Sequence, residues 1–250
     1  MSDIAAVVLT RNEERNIGAC LNSLAWADER VIFDQFSTDG TIAVAQAHGA
    51  TVLQHPFVHF AAQRNAALEQ VALDWVFFVD ADERATPELA SEVRQVVEGP
   101  QVGWWVPRHN YIFGKCIRHG GWYPDYQMRL LRRGRAFYDP ARPVHEVGVL
   151  DGEAGFLRCT LTHYNYTTVA QFLRKQRQYA GYDAQMRYKQ GARTRPRSYL
   201  GQPSREFWWR YISLRGYRDG ARGLLLAALM ARYVWNRCRL IARIQAQGAG

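Results

Sequence analysis

The sequence predicts an α/β fold with a mostly parallel central sheet flanked by helices, followed by a helical and basic C-terminal extension. Strand and helix signals alternate over the first hundred residues, as in successive βαβ units. The strand candidates are short continuous apolar runs, which is what strands covered on both faces require. Charge is also polarised: residues 171–250 hold 17 Lys/Arg against only Asp183, Glu206 and Asp219, so this part carries +14 of a chain whose net charge is +9.

In chain order, Ile4 to Leu9 reads as a first strand, and Ile17, Cys20, Leu21 and Leu24 follow at helical spacing. Val31 to Phe33 is the second strand. A turn at Ser37-Thr38-Asp39-Gly40 leads into a short helix from Thr41 to about His48, closed by Gly49. Thr51 to Leu53 is the third strand and Ala61 to Leu73 a helix. Trp75 to Val79 is the fourth strand, after which Thr86-Pro87-Glu88 supplies an N-cap, a first-turn proline and a first-turn acid for a helix reaching about Glu98. Trp104 to Val106 reads as a strand, and His109 to His145, dense in Gly, aromatics and charge, as a loop-rich functional stretch. Helical patterns return from Thr167, break over the Arg/Pro/Gly-rich segment Gly191 to Pro203, and resume from about Asp219 to Ala246. The expected organisation is a ligand-binding half over 1–100, a second half completing the site over 101–165, and a helical basic region over 166–250.

Composition narrows the class. With 48% hydrophobic residues and 32 aromatics, the chain can bury a sizeable core and is no disordered polymer. Cys20, Cys116, Cys159 and Cys238 form no CxxC pair, and no cleavable signal is evident, so a reducing cytoplasm is the expected setting. The basic C-terminal part suggests an anionic surface, either nucleic acid or the inner face of a membrane; a merely solvated basic face is the plainer alternative.

Ligands of parallel α/β sheets bind outside the carboxyl ends of the strands. That places Thr10, Arg11, Asn12 and Glu13 after the first strand, Asp34 after the second, and Asp80, Ala81 and Asp82 after the fourth. Paired carboxylates in such a position suit a hard cation, Mg²⁺ or Mn²⁺, that also grips the oxygens of a diphosphate. A solvated turn would look the same in isolation. The segments Val8-Leu9-Thr10-Arg11-Asn12-Glu13-Glu14, Ser37-Thr38-Asp39-Gly40-Thr41, Gln63-Arg64-Asn65 and Asp80-Ala81-Asp82-Glu83, in that order, resemble the nucleotide-sugar half of family 2 glycosyltransferases. That family has the Rossmann-like GT-A fold. Arg118 to Leu130 and Arg142-Pro143-Val144-His145-Glu146 are similar to the branch that adds glucose to the lipopolysaccharide core.

The resemblance implies an inverting hexosyltransferase that uses a nucleotide sugar such as UDP-glucose, a divalent cation, and a lipopolysaccharide inner-core or related glycolipid acceptor. Another cell-envelope polysaccharide or a protein acceptor is the alternative. Carried over by position, Thr10, Arg11, Asn12, Glu13, Asp34, Arg64 and Asn65 line the nucleotide pocket, Asp80 and Asp82 sit at ribose and metal, and Arg129 grips the diphosphate. Asp82, Asp80 and His145 are the expected metal ligands, and Trp122, Tyr123 and Glu146 the acceptor contacts. Gln35 and Phe36 replace a smaller pair beside the base, which leaves base identity open.

Inversion requires a carboxylate within reach of the acceptor hydroxyl. Asp125, between Trp122, Tyr123 and Tyr126, is the first candidate and Glu146 the second; a structural ion pair with Arg129 or Arg118 is the competing role for Asp125. Toward the C-terminus, Leu224, Leu225, Ala228, Leu229, Tyr233 and Trp235 lie between Arg222, Arg232, Arg237, Arg239 and Arg243. The longest uncharged stretch falls far short of the roughly 20 residues a spanning helix needs, so the expectation is peripheral attachment to an anionic membrane surface, with packing on the catalytic part as the alternative. A basic nucleic-acid-binding protein would leave the ordered N-terminal motifs unexplained, and no nucleic acid is expected as a partner. A nucleotidyltransferase would carry a glycine-rich basic loop after the first strand, which Thr10-Arg11-Asn12-Glu13-Glu14 is not.

Overall fold

The computed structural model describes residues 2–139 and 148–247. The elements are β1 (Ile4–Thr10), α1 (Glu14–Ser23), β2 (Glu29–Asp34), α2 (Thr41–Ala47), β3 (Thr51–Gln54), α3 (Phe60–Gln70), β4 (Trp75–Asp80), β5 (Glu83–Ala85), α4 (Pro87–Val96) and β6 (Gly103–Ile112). They continue as β7 (Lys115–Ile117), β8 (Asp125–Arg132), β9 (Ala136–Tyr138), β10 (Gly148–Leu150), β11 (Ala154–Phe156), β12 (Leu161–Tyr166), α5 (Val169–Lys189), α6 (Ser198–Trp208) and α7 (Ala221–Gln247). The chain divides into two compact units, Met1–His109 with Asp125–His163, and Asn110–Pro124 with Tyr164–Gly250. The segment 110–124, expected to belong with the second half of the site, groups with the helical C-terminal region.

In the first unit the strand order runs β3-β2-β1-β4-β8-β6-β12-β5. The first four are mutually parallel, joined by helical crossovers, as the alternating pattern predicts. Both faces are covered. Ile4, Ala6, Val8, Ile32, Phe77 and Val79 meet Ile17 and Leu21 of α1, Leu24 just after it, and Leu89 and Val93 of α4, whereas Ala5, Val7, Val31, Phe33, Val76 and Phe78 meet Ala61, Ala67 and Leu68 of α3. Odd and even positions of one strand thus serve opposite layers, and this is why the strands read as unbroken apolar runs.

Local signals hold where capping chemistry is explicit. Thr86 Oγ1 accepts from Leu89 N at 3.2 Å to start α4, with Pro87 in the first turn. The expected loop-rich stretch from 109 is described to 139 and is corrected in part: β6 extends to Ile112, and β8 enters the central sheet antiparallel between β4 and β6, while 118–124 remains a loop. The expected break over 191–203 also fails in part, since α6 begins at Ser198 and carries Pro203 inside it. All four cysteines are free thiols, and burial pushes the Cys20 thiol up to about 12.

The second unit has its own core of Ile112, Ile117, Tyr166, Phe172, Leu226 and Leu229. Asp219 ties it together: its carboxylate accepts from His119 N at 2.8 Å and from Arg118 N at 3.3 Å. At the start of α7 two backbones touch at glycines, and a Cβ built on Gly223 would lie 1.9 Å from the Gly216 carbonyl oxygen. Gly223→Ala is expected to destabilise this unit by about 1–3 kcal/mol through overpacking, read as a lowered thermal midpoint. An unchanged midpoint would show that the contact is not tight.

Candidate active site

The parallel register brings Thr10 of β1 beside Asp34 of β2, and Leu9 beside Asp80 of β4. The polar residues there divide into those that build the rim and those that face out from it. Asp34 is fully buried, and its carboxylate accepts from Thr10 Oγ1 at 3.0 Å, Ser37 N at 2.8 Å, Ser37 Oγ at 2.5 Å and Gln54 Nε2 at 3.4 Å. Thr10 is buried with it, and together they brace the turn that follows β2 rather than lying on its surface. Asn12 takes a left-handed backbone at φ 56° and its Oδ1 accepts from Thr38 N at 2.8 Å, while its own N–H donates to Ser37 Oγ at 2.9 Å. Glu13 N donates to Thr41 Oγ1 at 2.8 Å, and Glu13 Oε2 accepts from Asn16 Nδ2 at 2.8 Å. Arg11, Asn12 and Phe36 are exposed on this rim. Phe36 also has a left-handed backbone, φ 54°, an uncommon conformation for a bulky residue.

Past β4 lies a network of charges. Arg129, buried on β8, donates through Nη2 to Glu83 Oε1 at 2.6 Å and to Asp80 Oδ2, and through Nη1 to Asp80 Oδ1 at 3.2 Å. Glu83 has no exposed surface, and its other oxygen accepts from Asp80 N at 2.9 Å. Arg64 Nη2 and Arg108 Nη1 approach Asp80 at 3.8 and 3.9 Å. Burial would push the Asp80 carboxyl up, but the guanidiniums of Arg129 and Arg64, the Arg129 hydrogen bonds and Arg108 outweigh it and hold the group well below the usual carboxylate range. Burial likewise opposes the charge on Arg129, and Asp80 and Glu83 more than restore it. Arg129 is thus paired with both Asp80 and Glu83, while the Asp80 side chain, 37% exposed, keeps one side open among the arginines.

Arg108 extends the network. Its Nη1 donates to Glu83 Oε1 at 3.0 Å, and its Nη2 and Nε donate to Asp125 Oδ2 at 2.7 and 2.9 Å, while Gln127 Nε2 donates to Asp125 Oδ1 at 2.9 Å. Asp125 therefore does have a guanidinium partner in Arg108, its neighbour in the β6/β8 register, which the sequence reading had not named. Asn65 is taken by the fold: its amide exchanges hydrogen bonds with the Tyr138 backbone at 2.7 and 2.8 Å. Arg64 lies over the rings of Phe78 at 5.0 Å and Tyr138 at 5.6 Å.

Asp82, on the turn between β4 and β5, is half-buried, and His163 Nε2 of β12 lies 3.5 Å from its Oδ2. Arg84 fixes this turn by donating to Ala81 O at 2.8 Å and to Asn16 O at 3.0 Å. A carboxylate oxygen and an imidazole nitrogen this close form a donor pair that fits Mn²⁺ or Mg²⁺, with substrate oxygens and water completing the shell. Among the described residues no group of three metal-ligating side chains comes together. His145 and Glu146 lie outside the described residues. Trp122 and Tyr123 belong to the second unit, where the Trp122 ring packs 6.3 Å from that of Phe172 and beneath Arg210. Arg108 and His163 are absent from the expected site residues. The first could have been found from its place opposite Asp125; the second reads from sequence as a hydrogen-bonded structural histidine rather than a ligand.

Replacing Arg129 with Leu leaves buried Glu83 short of a countercharge, which is expected to destabilise the fold by about 3–5 kcal/mol in urea unfolding. The pH dependence follows from the depressed Asp80 pKa: the pair's stabilisation is present above the ordinary carboxylate pKa, near 4, and is lost as pH falls through the lower folded value. Wild type should weaken over that acid range more steeply than Arg129→Leu, and equal slopes would count against the pairing.

Residues 5–150 match the model of the family "Glycosyl transferase family 2". The lipopolysaccharide core biosynthesis glycosyltransferase LpsC of Rhizobium meliloti is 31% identical, over 96% of this chain and 94% of that protein. An uncharacterised glycosyltransferase of Rickettsia bellii is 25% identical over 82% of this chain and 74% of its own length. Among solved structures, glucosyl-3-phosphoglycerate synthase of Mycobacterium tuberculosis, in complex with Mn²⁺, UDP and glucosyl-3-phosphoglycerate, is 19% identical over 66% of this chain and 72% of that one; at a TM-score of 0.46 the two backbones agree only loosely. The family match over more than half the chain and the near full-length relative agree, and the chain is a glycosyltransferase that belongs to glycosyl transferase family 2.

Proposed function

We propose that this glycosyltransferase moves a hexose, glucose from UDP-glucose, onto a lipopolysaccharide inner-core sugar or a related glycolipid, with inversion and with the help of a divalent cation. The acceptor class follows LpsC, to which the chain is similar along nearly its whole length. The observation that carries the reading is how the carboxylates are sorted. Asp80 and Glu83 are paired with guanidiniums, Asp82 stands half-buried beside His163, and Asp125 is held on Arg108 and Gln127. Among the described residues Asp82 is then the carboxylate we assign to the cation and Asp125 the one we assign to the proton.

In this mechanism Asp82 and His163 would hold the cation, whose charge offsets that accumulating on the departing diphosphate. The rim at Arg11, Asn12 and Glu13 receives the nucleotide, with Phe36 exposed beside it. The acceptor hydroxyl attacks the anomeric carbon from the face opposite the diphosphate; the bond from that carbon to the β-phosphate oxygen breaks, and its electron pair leaves with UDP. The hydroxyl proton passes to Asp125. Arg108 and Gln127 fix the direction of that carboxylate, and Arg108 links it through Glu83 to the strand end that carries Asp82.

Three outcomes are expected. Isothermal titration should show UDP-glucose binding that requires Mn²⁺ or Mg²⁺, with GDP- and CDP-sugars weaker; tight binding of a different base would reassign the donor. Asp82→Ala should remove the metal dependence and lower transfer by roughly 10²–10³-fold. Asp125→Asn should lower kcat by roughly 10²–10⁴-fold while leaving donor affinity unchanged, and full activity in that variant would pass the role of base to another group.

A further inference from the structure

The second unit carries a groove that the transfer reaction does not use. It lies between α5 and α7, has a volume of about 500 Å³, and mixes apolar walls from Leu173, Trp235 and Leu240 with the guanidiniums of Arg177, Arg232 and Arg239. Among the described residues Arg177 and Arg232 have no acidic partner, and Arg239 lies over the Trp235 ring at 5.5 Å. Asp183 reaches Tyr233 of the groove, but it is already neutralised by Arg187 at 2.7 Å and Arg237 at 3.1 Å. The other two acids of this basic region are also engaged, Glu206 by Arg210 and Asp219 by the backbone of residues 118 and 119. The positive charge of the groove is therefore uncompensated from within.

The groove opens onto a continuous stripe. Leu225, Ala228, Arg232, Trp235, Arg239 and Arg243 follow one another three or four residues apart along α7, and all are exposed, Trp235 by 42%. A single helix face that carries apolar Leu225 and Ala228 at one end and Trp235 among three arginines at the other has the composition of a helix lying at a lipid headgroup layer, where guanidiniums reach phosphates and the indole sits at the boundary. Among the described residues no helix is long and apolar enough to cross a membrane.

We propose that the α5/α7 groove is a binding site for the phosphate headgroup of an anionic phospholipid in a bilayer, with the Trp235 face of α7 lying on the membrane surface. Charge complementarity selects this occupant: three arginines line a space walled by leucine and tryptophan, which matches a phosphodiester joined to acyl chains. The proposal is independent of which donor and acceptor the enzyme uses.

The test is co-sedimentation of the full chain with vesicles of phosphatidylcholine alone or with phosphatidylglycerol added, at low and high salt. Wild type should bind the anionic vesicles and release with salt. Changing Arg177, Arg232 and Arg239 together to Gln should weaken binding by roughly 10–100-fold. Changing Arg195, Arg197 and Arg205 to Gln removes the same charge elsewhere on this unit and should have a much smaller effect. Because all six side chains are exposed, retained folding is expected and is checked by thermal unfolding. Equal losses in the two triple variants would assign the attraction to diffuse charge and overturn the groove, as would unchanged binding in the first. Equal binding to uncharged vesicles would overturn the anionic headgroup. A single-stranded oligonucleotide whose binding falls with the groove substitutions while vesicle binding does not would replace the membrane with nucleic acid.

Discussion

The contact on which the rest of the first unit depends is the buried guanidinium of Arg129 between Asp80 and Glu83. Two carboxylates at the end of a buried strand repel each other and are costly to remove from water. Antiparallel β8 supplies the countercharge: with Leu130 opposite Phe77 of β4, Arg129 falls at the strand end where Asp80 emerges. Arg108, one strand further, then bridges Glu83 to Asp125. Slipping β8 by one residue would turn every apolar side chain to the wrong face and remove Arg129 from both carboxylates at once. Apolar patterning and charge pairing thus fix the same register, and this lets a site assembled from residues 80 to 163 be held without a disulfide.

Much of the first hundred residues was legible because both faces of β1, β2 and β4 are apolar and the helix starts carry their own chemistry. The stretch after residue 109 was not, and β8 shows why. Its inward-facing Arg129 looks polar in a linear reading, and only the pairing with Glu83 and Asp80 makes it a core residue. The start of α6 was hidden differently: Pro203 normally argues for a break, yet the helix passes through it, and no side chain of α6 is fully buried.

The gathering of the polar strand ends was legible in outline, and the partners of each side chain were not. Which strand ends gather follows from topology, so the neighbourhood of Thr10, Asp34, Asp80 and Asp82 could be named in advance. Which side chains turn inward is decided by partners distant in sequence. Asp34 and Asn65 are held by the backbone and hydroxyl groups around them, and Asp80 by arginines from α3, β6 and β8. His163 joins Asp82 only because β12 pairs antiparallel with β5, setting His163 opposite Glu83. Spacing along the chain contains no trace of that pairing.

The bracing of the turn by Asp34 has an evolutionary consequence. Its oxygens grip Thr10, Ser37 and Gln54, all behind the rim, so the two residues between Asp34 and Ser37 have no core to preserve. Gln35 is half-exposed and Phe36 is 55% exposed. Variation at these positions is limited by the left-handed backbone at 36, which favours glycine or asparagine sterically, and hardly at all by packing. Side chains at 35 and 36 can therefore be exchanged with little effect on the buried strand ends, so the surface of this turn is free to change its chemistry while the scaffold behind it stays locked.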